Sequence, residues 1–586
     1  MLQDVYKPLK ENQIRLLVLE PGNDGSELRC KIICGALNDY YLPYEALSYA
    51  WGDQNDVAEA ICNGLCMSIT KSLHDALLAI RLKNATRTIW VDALCINQLD
   101  IEERNHQVQL MAHIYSGATR VVVWLGDIDS DTGSALEMIS HCAEAFELRN
   151  NSAQRPDVNS NHIQLSYGLP SIIDPKWKSL GTFLLRPWFK RAWVVQEVAL
   201  ANEVIFHCGT IVVPWERVLK AMMGIFSLDL GDLVANGNES IICLHFYQRA
   251  YALSRSYLGD KSEILRLEVL LLAEGSRLAS DDRDKVFALL GLANDVQASD
   301  NPSGMSIQAD YGEEASDVYI GITRSVIEHY QSLTILAAAG LPIEPGTHNV
   351  PSWVSDRSLK PRANVFMSPA AKQRFSACDA PAHCRFTPDK RGLIATGVIH
   401  DTISKIGQPY SKRDLEEGVT IQWGEIAGLH KLSVAYRNID SFRLTLVGNF
   451  GQDGPLTDFE LESFFPWYES IYLRKFGNLP WENRASPNTD VEEGRMIRRF
   501  SALVHRASGW RSFFLTNGGL MGIGPATAAA GDLVCVVEGA TVPLVLRDGE
   551  GEGEECQFRL VGESYVHGLM RGEAYKTELV RELILF

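Results

Sequence analysis

The segment TRVVVWLG at 119–126 constrains the fold more than any other, because it is an unbroken run of β-branched and aromatic residues. Such a run is typical of a strand that is buried on both faces of a parallel sheet. Two further strand-like segments, YEALSYAW at 44–51 and TIWVDALC at 88–95, are separated by the helical pattern SLHDALLAIRL at 72–82. This alternation predicts right-handed crossovers and an α/β fold with a parallel sheet.

The rest of the chain is organised around this α/β part. The strands IRLLVLE and LRCKIIC, joined by PGNDGSE, predict an N-terminal hairpin within residues 1–40. The α/β part covers 41–210, with a polar insertion at 127–180 that contains one helix at about 133–148, and WFKRAWVVQEVAL at 188–200 is predicted to be helical. It is followed by a mostly helical region at 211–350, a mixed α/β region at 351–510 and a small C-terminal β module at 511–586.

Composition excludes several classes of protein. The chain has 586 residues, a hydrophobic fraction of 46% and a formal net charge of −18, which are typical of a multidomain globular protein and disfavour nucleic acid as a partner. Twelve scattered cysteines without zinc-site spacing predict reduced thiols and no metal. The N-terminus lacks a signal peptide and no apolar run approaches about 20 residues, so we expect a cytoplasmic protein without a membrane span.

Three stretches contain more aromatic and polar residues than a core requires: YEALSYAWGD at 44–53, IWVDALCINQLDIEER at 89–104 and RPWFKRAWVVQE at 186–197. In a parallel α/β sheet, ligands bind in the crevice beyond the carboxyl ends of the strands, where the first two stretches place their polar residues. The predicted binding residues in these two stretches are Tyr49, Trp51, Gly52, Asp53, Asp92, Asn97 and Gln98.

The third stretch places Trp193 and Glu197 four residues apart on a predicted helix, so they share a face. An apolar neighbour raises the pKa of a carboxyl group by desolvation, which is a common way of tuning an active-site acid. The spacing therefore makes Glu197 a candidate active-site carboxyl group and places Trp193, a candidate binding residue, beside it.

These stretches resemble the three motif blocks of the fungal heterokaryon incompatibility domain, the HET domain. The resemblance covers about residues 44–210, in the family's order and spacing, and segments at 280–293, 350–356 and 531–574 are similar to regions that accompany the domain in larger fungal proteins. It implies a role in programmed cell death after fusion of genetically unlike cells. Its implied partners are a second copy of the chain in a homo-oligomer and the product of an incompatibility locus.

A more distant resemblance concerns chemistry. ALSYAWGD is similar to the first strand motif of TIR domains, and Trp193 and Glu197 repeat the spacing of their tryptophan and catalytic glutamate, although Val194 stands where they have a cysteine. This resemblance implies a TIR-like or flavodoxin-like sheet and NAD as a substrate rather than a bound cofactor. Nicotinamide leaves NAD as a neutral molecule, so one carboxylate that stabilises the oxocarbenium charge suffices.

Other roles remain open for the same residues. Glu197 is either catalytic or paired with Lys190 or Arg191, and Asp92 belongs to a binding site or to an ion pair with Arg104 or Arg191. Asp53 also suits a turn, and Asn97 and Gln98 also suit a loop cap. Two functions therefore follow, an NAD glycohydrolase and a non-enzymatic signalling module that assembles with itself or with a partner.

Overall fold

The structure is a computed structural model. It describes residues 6–10, 12–23, 25–37, 42–151, 166–171, 173–228, 230, 234, 265–273, 277–297, 304–359, 365–366, 375–411, 418–429, 432–451, 455–477, 490–549 and 557–586. The chain forms two compact units, the first comprising Met1–Leu270 and Ser276–Glu313 and the second Leu271–Gly275 and Glu314–Phe586. None of the helices in the described ranges is long and apolar enough to span a membrane.

The first unit is built on a nine-stranded sheet. Its strands are β1 Gln13–Leu19, β2 Arg29–Ala36, β3 Glu45–Tyr49, β4 Val57–Cys62, β5 Leu65–Thr70, β6 Arg87–Trp90, β7 Val121–Trp124, β8 Val204–Cys208 and β9 Ile211–Pro214. The described helices up to residue 313 are α1 Lys71–Ile80, α2 Asp92–Cys95, α3 Ile101–Gly117, α4 Thr132–Asn150, α5 Lys176–Leu184, α6 Val194–Ala199, α7 Trp215–Ser227, α8 Leu267–Ala273 and α9 Asp284–Leu290.

The strand order of this sheet is β5-β4-β2-β1-β6-β3-β7-β8-β9. The four strands β6, β3, β7 and β8 at its centre run parallel. All four residues of β7 are buried, as the β-branched run predicts. The flanks contain antiparallel pairs, including the predicted hairpin of β1 and β2. The α/β prediction is thus confirmed, and the sheet is mixed, with a run of four parallel strands and one further parallel pair, β2 and β4.

Three local predictions differ from the structure. The strand predicted at 88–95 ends at Trp90, because Asp92 starts the one-turn helix α2 and accepts a hydrogen bond from Ala93 N at 2.8 Å. The helix predicted from Trp188 begins only at Val194, because a 3₁₀ turn occupies Pro187–Lys190. The backbone on either side of Arg191 also pairs with Leu278 and so is not helical. The hairpin of β4 and β5 was not predicted.

The second unit combines helices with a second nine-stranded sheet. Its described helices are α10 Ala315–Tyr330, α11 Val419–Ile426, α12 Leu432–Leu446, α13 Asp458–Glu462, α14 Phe464–Phe476 and α15 Asp490–Ser508. Its strands are β10 Cys384–Phe386, β11 Leu393–Ile406, β12 Arg511–Thr516, β13 Met521–Pro525, β14 Leu533–Val537, β15 Leu544–Asp548, β16 Gln557–Glu563, β17 Tyr565–Val566 and β18 Arg581–Leu585. The strands predicted in the C-terminal β module are present as β14 to β18.

Five of these strands close into a ring. β14 pairs with β15, β15 with β16, β16 with β18, and β11 pairs with both β18 and β14. Gly397 in β11 pairs with Val537 on one side and Arg581 on the other. A Cβ atom at Gly397 would lie 2.7 Å from the carbonyl oxygen of Val536, so a larger residue would not fit at this point of the ring.

Several predicted segments lie wholly or partly outside the described residues. They are the part of the polar insertion at 152–165, much of the helical region between 235 and 264, and residues 550–556 of the predicted C-terminal β module. The helix predicted within the insertion is confirmed as α4, and the cysteines of the described ranges are all free thiols.

Candidate functional site

Two predicted binding residues meet at the carboxyl edge of the parallel strands. Trp51 follows β3 and Asp92 follows β6, and these neighbouring strands run in the same direction. Trp51 Nε1 donates a hydrogen bond to Asp92 Oδ2 at 2.8 Å. The crevice that the strand order predicts therefore contains a carboxylate that is oriented by an indole.

Glu197, on helix α6, lies against the same strands. Its side chain is only 2% exposed, and its carboxylate accepts hydrogen bonds from the hydroxyl groups of Ser48 in β3 and Tyr115 in α3. Trp188 Nε1 in turn donates to Ser48 Oγ at 2.7 Å. The carboxylate is thus held by a hydrogen-bond chain that fixes its orientation toward the sheet.

Arg191 lies between the two carboxylates. One guanidinium nitrogen is 3.9 Å from Glu197 Oε1 and the other is 3.9 Å from Asp92 Oδ2. Arg191 also donates to the backbone carbonyl of Tyr49, the last residue of β3. Its side chain is 19% exposed, whereas that of Glu197 is almost fully covered, so Arg191 is the more accessible of the two charges.

Burial determines the electrostatics of this cluster. Desolvation raises the pKa of Glu197 to about 7, although Arg191 and the Ser48 hydrogen bond both oppose the shift. Burial likewise raises the pKa of Asp92 above its ordinary value, against the opposing charge of Arg191. The pKa of Arg191 is raised, because the two carboxylates outweigh the burial that disfavours its charge. Glu197 therefore titrates near neutral pH beside a guanidinium that stays charged.

This shift predicts how stability depends on pH. Between about pH 4.5 and pH 7 the Glu197 carboxyl ionises in the unfolded chain but stays protonated in the folded one, so the folded state binds more protons and loses stability as pH rises. The loss attributable to Glu197 is about 3 kcal/mol across this window. We expect hydrogen exchange of β3 in urea to show it in the wild type, and Glu197→Gln to remove that part of the slope. An unchanged slope in the variant would refute the raised pKa.

Tyr49 adds a polar group with no partner. Its hydroxyl is fully buried and has no hydrogen-bond partner among the described residues. Burial raises its pKa well above the ordinary value, and the charges of Asp92 and Glu197 add to this shift. Tyr49 therefore provides a buried, unpaired hydroxyl within the electrostatic influence of both carboxylates.

The other predicted binding residues hold the loops around the cluster. Gly52 has a φ of +73°, and a Cβ atom there would lie 3.2 Å from the Cβ of Ser72, so the turn after β3 favours glycine. Asp53 is exposed and its carboxylate accepts from Asn55 N at 2.9 Å, which is the turn arrangement that the sequence left open. Gln98 Nε2 donates to Asp92 O at 3.0 Å, and Asn97 N donates to Glu103 Oε1 at 2.7 Å.

Trp193 contacts a different carboxylate from the one predicted. It is the N-cap residue of α6, and its side chain hydrogen-bonds Asp284 at the start of α9. Burial raises the pKa of Asp284 to about 6, and the Trp193 bond opposes this shift. Trp193 therefore links helix α6 to the segment after residue 277.

Sequence reasoning missed several members of the cluster. Local patterns indicated no role in the cluster for Trp188, Ser48 or Tyr115, although a serine inside the apolar strand ALSY is a polar residue that must find a partner. Arg191 was considered only as an ion-pair partner. Arg104, the other partner considered for Asp92, instead lies 3.4 Å from Asp281. Within the described ranges, no group of three or more His, Cys, Asp or Glu residues is arranged to hold a metal ion.

Fold and site together define a protein with an α/β unit, whose sheet edge bears a cluster of buried charges, and a separate unit that contains a closed ring of strands. The family model described as Heterokaryon incompatibility protein (HET) matches residues 44–197, which include all the members of the cluster. The model described as Het-6 beta-barrel domain matches residues 489–586, which include four of the five ring strands. The chain is therefore similar to the HET domain over residues 44–197 and to the Het-6 beta-barrel domain over residues 489–586.

One relative is similar over nearly the whole chain. Heterokaryon incompatibility protein 6, OR allele, of Neurospora crassa is 25% identical over 661 aligned residues, which cover 96% of this chain and 94% of the relative. No solved structure matches the chain. The resemblance to the HET domain is thus confirmed by one family model, and a second model and the relative extend the similarity to heterokaryon incompatibility proteins over the rest of the chain.

Proposed function

We propose that this protein is an effector of programmed cell death triggered by non-self recognition, and that its Glu197 cluster hydrolyses NAD. The observation that carries the proposal is a carboxyl group at the strand edge that is oriented by Ser48, lies beside Arg191 and has its pKa raised to about 7. Perturbed carboxyl groups with a specific charge partner are typical of catalytic sites. The whole-chain similarity to a heterokaryon incompatibility protein supports the biological role.

The reaction is chemically simple. Water adds to C1′ of the nicotinamide-bearing ribose while the bond to the nicotinamide nitrogen breaks, so NAD⁺ and water yield nicotinamide, ADP-ribose and one proton. The pyridinium leaving group takes the bonding electron pair and becomes neutral, so no acid is needed to protonate it. Ionised Glu197 would stabilise the positive charge that develops on the ribose ring.

The neighbouring residues suit the other parts of such a substrate. Asp92 and the unpaired Tyr49 hydroxyl would bind ribose hydroxyl groups, because one accepts and the other donates hydrogen bonds. Arg191, with its fork of donors, would bind the pyrophosphate once that group displaces a carboxylate from it. Trp51, held by Asp92, would pack against a ring of the substrate.

A second function is favoured by the burial of Glu197. Its side chain is 2% exposed, and the contacts that hold it come from within the same unit. In a non-enzymatic signalling module the cluster would only stabilise the HET domain, and the domain surface would assemble with other copies or with the product of an incompatibility locus. Buried ion clusters of this kind also serve to specify a unique packing.

One assay separates the two functions. The full chain, at high concentration with a crowding agent, is incubated with NAD, and free nicotinamide is quantified by chromatography. An enzyme is expected to release nicotinamide from NAD but not from NADH, whose reduced ring would have to leave as an anion. Absence of nicotinamide under all assembled conditions, including those of the variants described below, would leave the signalling module as the function.

A further inference from the structure

Residues 277–297 and 304–311 of the first unit, which we call the clasp, pack against the third HET motif. The clasp bonds to the backbone there: Leu278 N donates to Lys190 O at 2.7 Å, and Ala192 N donates to Leu278 O at 3.0 Å. These bonds form an isolated parallel bridge between Leu278 and Arg191. The residue that lies between the two carboxylates of the cluster is therefore fixed through its backbone by a segment almost 90 residues away.

Side chains of the clasp extend this contact. Asp281 lies 3.4 Å from the Arg104 guanidinium, and that guanidinium lies over the ring of Tyr311 at 3.5 Å from its centre. The Tyr311 hydroxyl and the Trp193 indole both bond to Asp284, so the N-cap residue of α6 is held as well. The clasp therefore contacts residues 190–193 through its backbone and through Asp284, and contacts α3 through the charge of Asp281 and the ring of Tyr311.

Helix α6 is also held at its centre. With its side-chain amide oriented to satisfy both partners, Gln196 donates to Ala288 O at 3.2 Å and accepts from Ala112 N at 2.9 Å. Gly291 lies so close to Gln196 that a Cβ atom there would be 2.7 Å from the end of the Gln196 side chain. Glu197 follows Gln196 directly in α6, so the clasp holds the helix that carries Glu197.

The clasp is connected to the second unit through the chain at both of its ends. Both flanking segments, Leu271–Gly275 before it and the chain from Glu314 after it, belong to the second unit. A change in the second unit would therefore pull on the clasp from both ends, along the covalent chain.

We propose that the clasp is an autoinhibitory contact, which keeps the Glu197 site closed until a change in the second unit releases it. The inference rests on the proposed function of the Glu197 cluster as the effector site. It explains how a carboxylate with catalytic features is 2% exposed in this structure, since the closed state is the one described.

The sharpest test uses the backbone of Leu278. Leu278→Pro removes the amide hydrogen that donates to Lys190 O, while Leu278→Ala keeps it, and the leucine side chain is 47% exposed, so neither variant empties a core position. In the full chain, Leu278→Pro is expected to speed hydrogen exchange of residues 190–199 about tenfold relative to Leu278→Ala. It is also expected to raise nicotinamide release several-fold and to increase the death of fungal cells that express it.

Each outcome decides between the proposals. Unchanged exchange, or faster exchange without more cell death, would overturn the clasp. Faster exchange with more cell death but without nicotinamide would support the clasp and contradict NAD hydrolysis. Asp281→Asn, which removes the charge facing Arg104 and Arg283, provides a second variant if Leu278→Pro fails to fold, and the same changes are expected from it.

Discussion

Replacing Glu197 with glutamine is expected to lower nicotinamide release from NAD at least about 100-fold, because the charge that stabilises the transition state is removed. The amide has the same shape as the carboxyl group, and its oxygen still accepts from Ser48. The fold should therefore persist, and hydrogen exchange of β3 and β7 that matches the wild type at pH 5, where wild-type Glu197 is mostly protonated, would verify this. The measurement is nicotinamide quantified by chromatography, with the Leu278→Pro background used to raise the signal.

Glu203→Gln is the matched control for this prediction. Glu203 lies six residues further along, its side chain is 56% exposed, and its ion pair with Arg120 spans 3.7 Å at the surface. The same chemical change there is expected to leave nicotinamide release within about twofold of the wild type, since exposed ion pairs contribute little. Activity retained in Glu197→Gln would show that another group carries the reaction.

Removing the cation between the carboxylates is expected to cost more stability than any other change in the site. Arg191→Met keeps an unbranched apolar stem but leaves Glu197 and Asp92 without the guanidinium that lies 3.9 Å from each. An uncompensated buried charge typically costs several kcal/mol, and the partial exposure of Arg191 reduces this to about 3 kcal/mol at pH 8. Hydrogen exchange of β3 and β7 in urea measures this loss in the full chain.

The pH dependence of this loss identifies its cause. At pH 5 the carboxyl group of Glu197, with a pKa raised to about 7 even beside Arg191, is mostly protonated, so Arg191→Met should cost much less there. Adding Glu197→Gln removes one of the two facing charges and is expected to restore about half of the lost stability at pH 8. An equal cost at both pH values would instead mean that the lost bond to Tyr49 O, and not the charge, is responsible.

Local patterns were sufficient to locate the site but not to complete it. The β-branched run of β7 and the polar residues after β3 and β6 predicted a parallel sheet edge, and Trp51 and Asp92 do meet there. The hairpin of β4 and β5 also had a local signal, since Asn63 and Gly64 both adopt positive φ in its turn, as an Asn-Gly pair favours.

The missing parts of the site depend on contacts between distant segments. The backbone of Leu278 pairs with the backbone around Arg191. The Trp193 side chain hydrogen-bonds Asp284 and not a member of the Glu197 cluster. Contacts between segments almost 90 residues apart leave no periodic pattern in either segment. The spacing of Trp193 and Glu197 on one helical face therefore could not predict that Trp193 would bond to Asp284. Local patterns could not predict closure of the ring either, because β11 lies about 130 residues before the β14 strand with which it pairs.

The closed ring of strands also has a consequence for protein synthesis. β18 occupies the gap between β16 and β11, and its residues 581–585 are translated after every other strand of the ring. A ribosome that stops before this point releases a chain in which β16 and β11 each expose an unpaired edge, and such edges promote aggregation and degradation. Closure of the ring therefore depends on translation of β18, and copies truncated before it would be removed.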